Sequence, residues 1–252
     1  MLNGESTLRG LPLRSSDAHY VGSIKDLYFD DQYWAIRYLV ADTGLWLPDR
    51  KVLISPRSLG FVSIQSGTVA VALTRKQIED SPSLDSDQPV SRQFEELYHG
   101  YYGWPAYWSG PYEGGTPELL MRDPTQAREN AVNDANGDPH LRSANAVRGH
   151  HLEATDGSIG HIADFLIDDE NWVIRYLVIH TSNWWPTHKV LLSPEWVDSV
   201  SWPEAKAFVN LKRDVIKNAP SYSPDNPVTR DFETRLHRYY QRPGYWHDVA
   251  SP

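Results

Sequence analysis

Between Gly22 and Pro56 the chain reads GSIKDLYFDDQYWAIRYLVADTGLWLPDRKVLISP, and between Gly160 and Pro194 it reads GHIADFLIDDENWVIRYLVIHTSNWWPTHKVLLSP. The two stretches align without a gap, and about half of their positions are identical, among them Trp34/Trp172, Arg37/Arg175, Tyr38/Tyr176, Trp46/Trp184, Pro48/Pro186 and Lys51/Lys189. The same offset returns downstream. Pro89-Val90-Ser91-Arg92 falls on Pro227-Val228-Thr229-Arg230, Phe94-Glu95 on Phe232-Glu233, and Tyr101-Tyr102 on Tyr239-Tyr240. The tail Pro105-Ala106-Tyr107-Trp108 falls on Pro243-Gly244-Tyr245-Trp246. One register held over so long a span is an internal duplication. It divides the chain into a first copy at 1–109, a linker at 110–140 punctuated by Gly114-Gly115, Pro117, Pro124 and Asn136-Gly137, and a second copy at 141–252.

Each copy is β-rich. Val21–Phe29 and Trp34–Asp42 are dense in β-branched and aromatic residues and flank an Asp-rich turn, which predicts a hairpin. Strands are expected again near Lys51–Ser55, Phe61–Ile64 and Thr68–Leu73, with counterparts at Ile159–Ile167, Trp172–His180, Lys189–Ser193, Val197–Ser201 and Ala207–Leu211. Short helices are expected at Arg75–Asp80 and Arg213–Asn218. Longer ones, capped by Ser91 and Thr229, should end near Tyr102 and Tyr240. The pattern describes a mainly β protein of two tandem small β-barrels, each with a short C-terminal helix and an aromatic tail. Duplication further suggests that the two barrels form an internal pseudo-dimer.

The chain has 252 residues, with 24 Lys+Arg against 33 Asp+Glu and a formal net charge of -9. That balance excludes a surface that is basic throughout, and no direct nucleic-acid contact is expected. There is no cysteine, so disulfides, thiolate metal sites and cysteine nucleophiles are excluded. No apolar run is long enough to span a membrane, and MLNGESTLRG lacks the layout of a secretory signal. A cytoplasmic location is the expectation. Six of the ten tryptophans are three positions seen twice, Trp34/Trp172, Trp46/Trp184 and Trp108/Trp246.

The repeated charged residues read as framework. With the hairpin loop centred on Asp31-Gln32, Asp26 faces Arg37 and Asp164 faces Arg175 as cross-strand pairs. The alternative is an arginine presented to a partner's anion. Asp30-Asp31 and Asp168-Asp169 lack the further oxygen ligands of a calcium loop and read as solvated turns. No HxH, HExxH, GxSxG, SxxK or glycine-rich phosphate loop occurs, so no catalytic, metal or cofactor residues are assigned. His99/His237 is a repeated pair on the expected tail helix. Two aromatic sets remain. The loop holding Trp46 and Pro48, and its counterpart holding Trp184, Trp185 and Pro186, is either a plug over the barrel end or an exposed patch that grips a protein partner. The tails YYGWPAYW (Tyr101–Trp108) and YYQRPGYW (Tyr239–Trp246) fold back on a barrel, or else form a stacking platform. Base stacking wants flanking cations, which the first copy lacks.

The strings quoted above, with DDQYWAIRYLV and DDENWVIRYLV at their centre, resemble the PRC-barrel domain. That domain is shared by the cytoplasmic part of the photosynthetic reaction centre H subunit and the C-terminal half of the ribosome-maturation factor RimM. The arrangement of two barrels with YYxxPxYW tails is similar to bacterial tandem PRC-barrel proteins. The resemblance implies a small bent β-barrel used as a protein-binding adaptor, without catalysis or cofactor. The function expected is a non-enzymatic cytoplasmic interaction module, such as a scaffold or stress-related adaptor, with an unidentified protein as partner. A ribosome-associated factor like RimM and a hydrolase are the alternatives.

Overall fold

The computed structural model describes residues 1–63, 67–84, 90–107, 140–181 and 188–246. Strands dominate, and the described residues fall into two compact units that are discontinuous in sequence. The first comprises Thr7–Ala144 with Asn171–Val173, and the second Met1–Ser6, Asn145–Glu170 and Ile174–Pro252. The short strand β1 (Leu2–Gly4) therefore lies in the second unit, although it opens the first sequence copy.

In the first unit, β2 (Pro12–Arg14), β3 (Tyr20–Asp30), β4 (Ala35–Asp42), β5 (Val52–Ile54), β6 (Leu59–Ser63) and β7 (Thr68–Val71) pair in the order β6–β7–β2–β3–β4–β5. The β2–β7 contact is parallel and the other contacts along this path are antiparallel. β4 is buried along both faces up to Ala41, which is why its sequence is an unbroken apolar run around Arg37 rather than an alternation. Beyond the short α1 (Glu5–Leu8) two helices follow, α2 (Arg75–Glu79), opened by a capping box at Thr74 and Gln77, and α3 (Arg92–Tyr102), capped by the Ser91 hydroxyl. Across β4 and β5, Tyr38, Val40 and Leu53 pack with Val90, Phe94 and Tyr98 of the α3 region as one cluster. A last strand, β8 (Leu141–Ser143), pairs with the end of β3, Tyr28↔Ser143 through Asp30↔Leu141.

The sheet is not closed, so the small barrels expected from sequence are corrected to an open sheet. β5 is three residues long and stops at Ser55, where Pro56 opens a 3-10 turn and has no N–H to extend a ladder. Gly22 explains a second constraint at the β3–β4 bend. Its φ is +128°, and a Cβ there would lie 2.4 Å from the Asp42 carbonyl oxygen.

The second unit repeats this plan. It begins with a short helical turn, α4 (Ala144–Val147), and then β9 (His151–Ala154), β10 (Gly157–Asp168), β11 (Val173–His180), β12 (Lys189–Leu192), β13 (Val197–Ser201), β14 (Lys206–Val209) and β15 (Ser221–Tyr222). The pairing order is β13–β14–β9–β10–β11–β12–β15, with β1 on β10 from Leu2↔Asp168 to Gly4↔Leu166. α5 (Arg213–Lys217) and α6 (Arg230–Tyr240, capped by Thr229) follow. Thus β1 and β8, which open the two sequence copies, are each built into the unit formed chiefly by the other copy.

The hairpin register differs from the one expected. Asp30 lies opposite Ala35, Phe29 opposite Ile36, Tyr28 opposite Tyr38, and Asp26 opposite Val40, with shifts at Ile24/Asp26 and Tyr28/Phe29. The turn sets this register. Asp30 Oδ1 accepts from the Gln32 and Tyr33 N–H groups at 2.8 and 3.1 Å, and Trp34 closes the loop at a left-handed φ of 54°. That conformation costs a bulky residue energy, and the Trp34 ring stacked on Phe29 at 5.3 Å offsets it. The loop is therefore four residues long, and a bulge leaves Arg37 without an opposite number.

Candidate functional site

The displaced register re-pairs the repeated charges. Arg37 does not face Asp26. Its Nη2 donates to Asp30 Oδ2 at 3.1 Å, both groups being buried, and Arg175 pairs with Asp168 at 3.4 Å in place of the expected Asp164. Asp26 accepts from Ser143 Oγ of β8, and Asp164 from the Ser6 hydroxyl and N–H that follow β1. The second aspartate of each turn has a related task. Asp31 accepts from His140 Nδ1 at 2.9 Å and Arg142 Nε at 2.8 Å, while Asp169 accepts from Asn3 Nδ2 at 2.9 Å and the Met1 amine. These turns, read from sequence as solvated, are receptors for the opening strands.

The guanidinium of Arg37 also lies 4.1 Å above the Tyr107 ring, and Arg175 lies 4.1 Å above Tyr245. This leads into a buried polar cluster that occurs twice. Tyr38 Oη stands 2.8 Å from both Glu95 Oε1 and His99 Nε2, and Tyr107 Oη donates to Glu95 Oε1 at 2.6 Å. His99 Nδ1 lies 3.1 Å from the Pro105 carbonyl, and Arg92 is 3.2 Å from Glu95 Oε2. In the second unit Tyr176 is 3.0 Å from Glu233 and 2.9 Å from His237. Tyr245 donates to Glu233 at 2.8 Å, and His237 Nδ1 lies 2.7 Å from the Pro243 carbonyl.

Burial holds Tyr38 well above the usual phenol range, with the Glu95 charge acting in the same direction, and Tyr176 is raised for the same reasons. Burial also lowers His99 to about 4, against a raising contribution from its bond to Pro105 and assisted by Arg57, Arg92 and Arg37. His99 is therefore neutral near pH 7. Its Nδ1–H serves the Pro105 carbonyl and its Nε2 competes with Glu95 for the one Tyr38 proton.

The cluster pins helix and tail to the sheet. Glu95 and His99 project from α3, Tyr38 from β4, and Pro105 and Tyr107 from the tail. The tail packs within its own unit, with Trp104 stacked on Tyr102 at 4.3 Å and Trp246 lying 4.9 Å from His237. Trp108 lies outside the described residues. Sequence reading missed the cluster. Its signal was the recurrence of Tyr38, Arg92, Glu95, His99 and Tyr107 at one offset, which marks buried polar side chains that satisfy one another.

The aromatic loop is a different kind of surface. Gly44 N–H donates to Asp42 Oδ1 at 3.0 Å and Thr43 Oγ1 to the Leu47 carbonyl at 3.0 Å, fixing a tight turn after β4. Trp46 is half-buried, with Arg75 4.5 Å over its ring. Pro48 is exposed and Leu45 is 98% exposed. Trp46 thus neither seals the core nor stands free. Trp184, Trp185 and Pro186 lie outside the described residues. Thr181 Oγ1 nevertheless donates to His188 across the base of that loop at 2.8 Å. Elsewhere in the second unit, Tyr222, Pro227, Thr229, Phe232 and Arg235 are among the residues lining an open groove of about 430 Å³. Its lining has one cation and no carboxylate, hence no acid–base pair.

Compared with known families, residues 4–78 match the PRC-barrel domain. No curated protein matches the chain.

Proposed function

We propose, starting from the PRC-barrel domain at residues 4–78, that the protein is a non-catalytic cytoplasmic adaptor built from two such modules in tandem. The loops at Trp46/Pro48 and Trp184/Trp185/Pro186 are its partner-binding elements. One observation carries the reading. The Tyr–Glu–His clusters and the Arg–Asp pairs kept in both copies are engaged in structure, whereas Leu45 and Pro48 leave apolar surface in water beside a tryptophan. Two equivalent loops on one chain would also favour a partner that repeats its own motif, through effective concentration.

The test places a photo-crosslinking residue at position 45 and compares wild type with a Trp46→Ala/Trp184→Ala variant. The expected outcome is a discrete crosslinked partner with the wild type and none with the variant, while near-ultraviolet circular dichroism shows the variant folded. Crosslinking that persists in the folded double variant would refute the loops as the site. An unfolded variant would identify the tryptophans as core.

A further inference from the structure

A row of basic side chains crosses one face of the sheet in the second unit. Lys206 of β14 is paired with His151 of β9, His151 with His161 of β10, and Lys189 of β12 with His180 of β11. The rings of His161 and His180 are 5.2 Å apart, which closes the row, and Tyr222 pairs with Lys189 at its end. Five basic side chains thus stand on five successive strands. With strands about 4.8 Å apart, the strip is about 19 Å long.

Once protonated, the three histidines would set like charges opposite one another and opposite the lysines, an arrangement that calls for a counter-charge. The first copy keeps Lys189 as Lys51 but none of the histidines, whose positions there hold Pro12, Ser23 and Asp42 in the same pairing. His161 is pushed below the usual histidine range by burial and then by His180 and His151. His180 Nδ1 is buried and makes no hydrogen bond. Glu204 lies 3.8 Å from Lys206, Glu153 is two residues along β9, and Asp164 on β10 is held by Ser6 with Arg148 3.9 Å away. His150 packs on Trp202, and Arg213 lies over Gly157.

We propose that this strip is a docking site for an acidic peptide segment of a partner protein, engaged as the histidines take up protons. The geometry selects that occupant. The strip is linear, unlike the concave site a small molecule needs. Among the described residues no three side chains are placed as metal ligands, and lysines at both ends repel a cation. A long phosphate polymer would run off the strip onto a chain of net charge -9. An extended peptide of about six residues matches the length. Beyond the strip, Tyr222 leads into the groove lined by Pro227 and Phe232, which suits an apolar side chain after the acidic run. The site is independent of the Trp46 loop.

The experiment titrates a fluorescein-labelled hexaglutamate peptide with the full-length protein, following anisotropy at pH 7.5 and 5.5, values on either side of the ordinary histidine pKa of about 6.5 at which the peptide's carboxylates stay ionised. Binding at least tenfold tighter at pH 5.5 is expected. His161→Ser/His180→Asp, which installs the residues the first copy carries at these positions, should abolish that tightening with the fold intact. Trp46→Ala should leave it unchanged, which separates failure of this site from failure of the loops. Equal affinity at the two pH values, or tightening that survives in the His161→Ser/His180→Asp variant, would overturn the proposal. So would loss of the response in EDTA, which would place a bridging metal there, or displacement of the peptide by inorganic polyphosphate at lower charge-equivalent concentration.

Discussion

Removing one oxygen atom tests the duplicated cluster. Tyr107→Phe keeps the ring that lies under the Arg37 guanidinium at 4.1 Å but deletes the hydroxyl that donates to Glu95 at 2.6 Å. Glu95 is fully buried, so the lost donor is not replaced by water. Hydrogen bonds to charged groups contribute about 1.5–3 kcal/mol, and the upper half applies when the acceptor stays buried. For a unit of this size the loss corresponds to a fall in Tm of about 5–15 °C, read by differential scanning calorimetry. Tyr245→Phe makes the same deletion at Glu233 and serves as an internal replicate, with an expected loss of the same size. A double-mutant cycle of Tyr107→Phe with Glu95→Gln should give a coupling energy above about 0.5 kcal/mol, since the two side chains touch. A Tm unchanged within about 1 °C in both tyrosine variants, or a coupling of zero, would mean that the tails are not held by this bond.

Other outcomes follow from the same geometry. The folded state holds His99 near 4 and the unfolded chain near 6.5, so the unfolded state binds more protons between those values. Stability should therefore fall as pH drops through that window, and His99→Gln should flatten this part of a urea-denaturation profile. Arg37→Lys cannot keep both the Asp30 pair and the stacking on Tyr107. Because the ammonium keeps the charge but gives up one of the two contacts, it should cost about 1–2 kcal/mol in chemical denaturation. Leu45→Ser, at a fully exposed position, should change stability by less than about 0.5 kcal/mol while weakening partner crosslinking. Asp31→Ala removes the acceptor for His140 and Arg142, and hydrogen exchange should show lost protection in β8 with β4 unaffected.

Local structure was legible where a local cause sets it. The hairpin strands expected at Val21–Phe29 and Trp34–Asp42 occur at Tyr20–Asp30 and Ala35–Asp42, and the caps at Ser91 and Thr229 stand as read. The register was not legible, because it depends on how Asp30 ties the turn and on Trp34 adopting a left-handed φ, neither of which alternation encodes. Three-residue strands such as β1, β2 and β8 are too short to show a period. The Tyr38–Glu95–His99 cluster joins a strand, a helix and a tail far apart in sequence, so only the repeat could signal it. The histidine row is harder still, since His151, His161 and His180 become neighbours only through strand pairing.

The discontinuous make-up of the units has a consequence for synthesis. When Tyr107 leaves the ribosome, the polypeptide has all of the first repeat, yet the end of β3 still lacks β8, and Asn171–Val173 have not been made. At about 5–20 residues per second, completion comes about 3–13 s later, once Val173 has followed. For most of that interval the opening strand β1 has no docking place, because β10 is not complete until Asp168 has been made. Nascent chains of this protein must therefore hold an unfinished sheet edge in water for seconds, and a chaperone that shields edges would act in that interval.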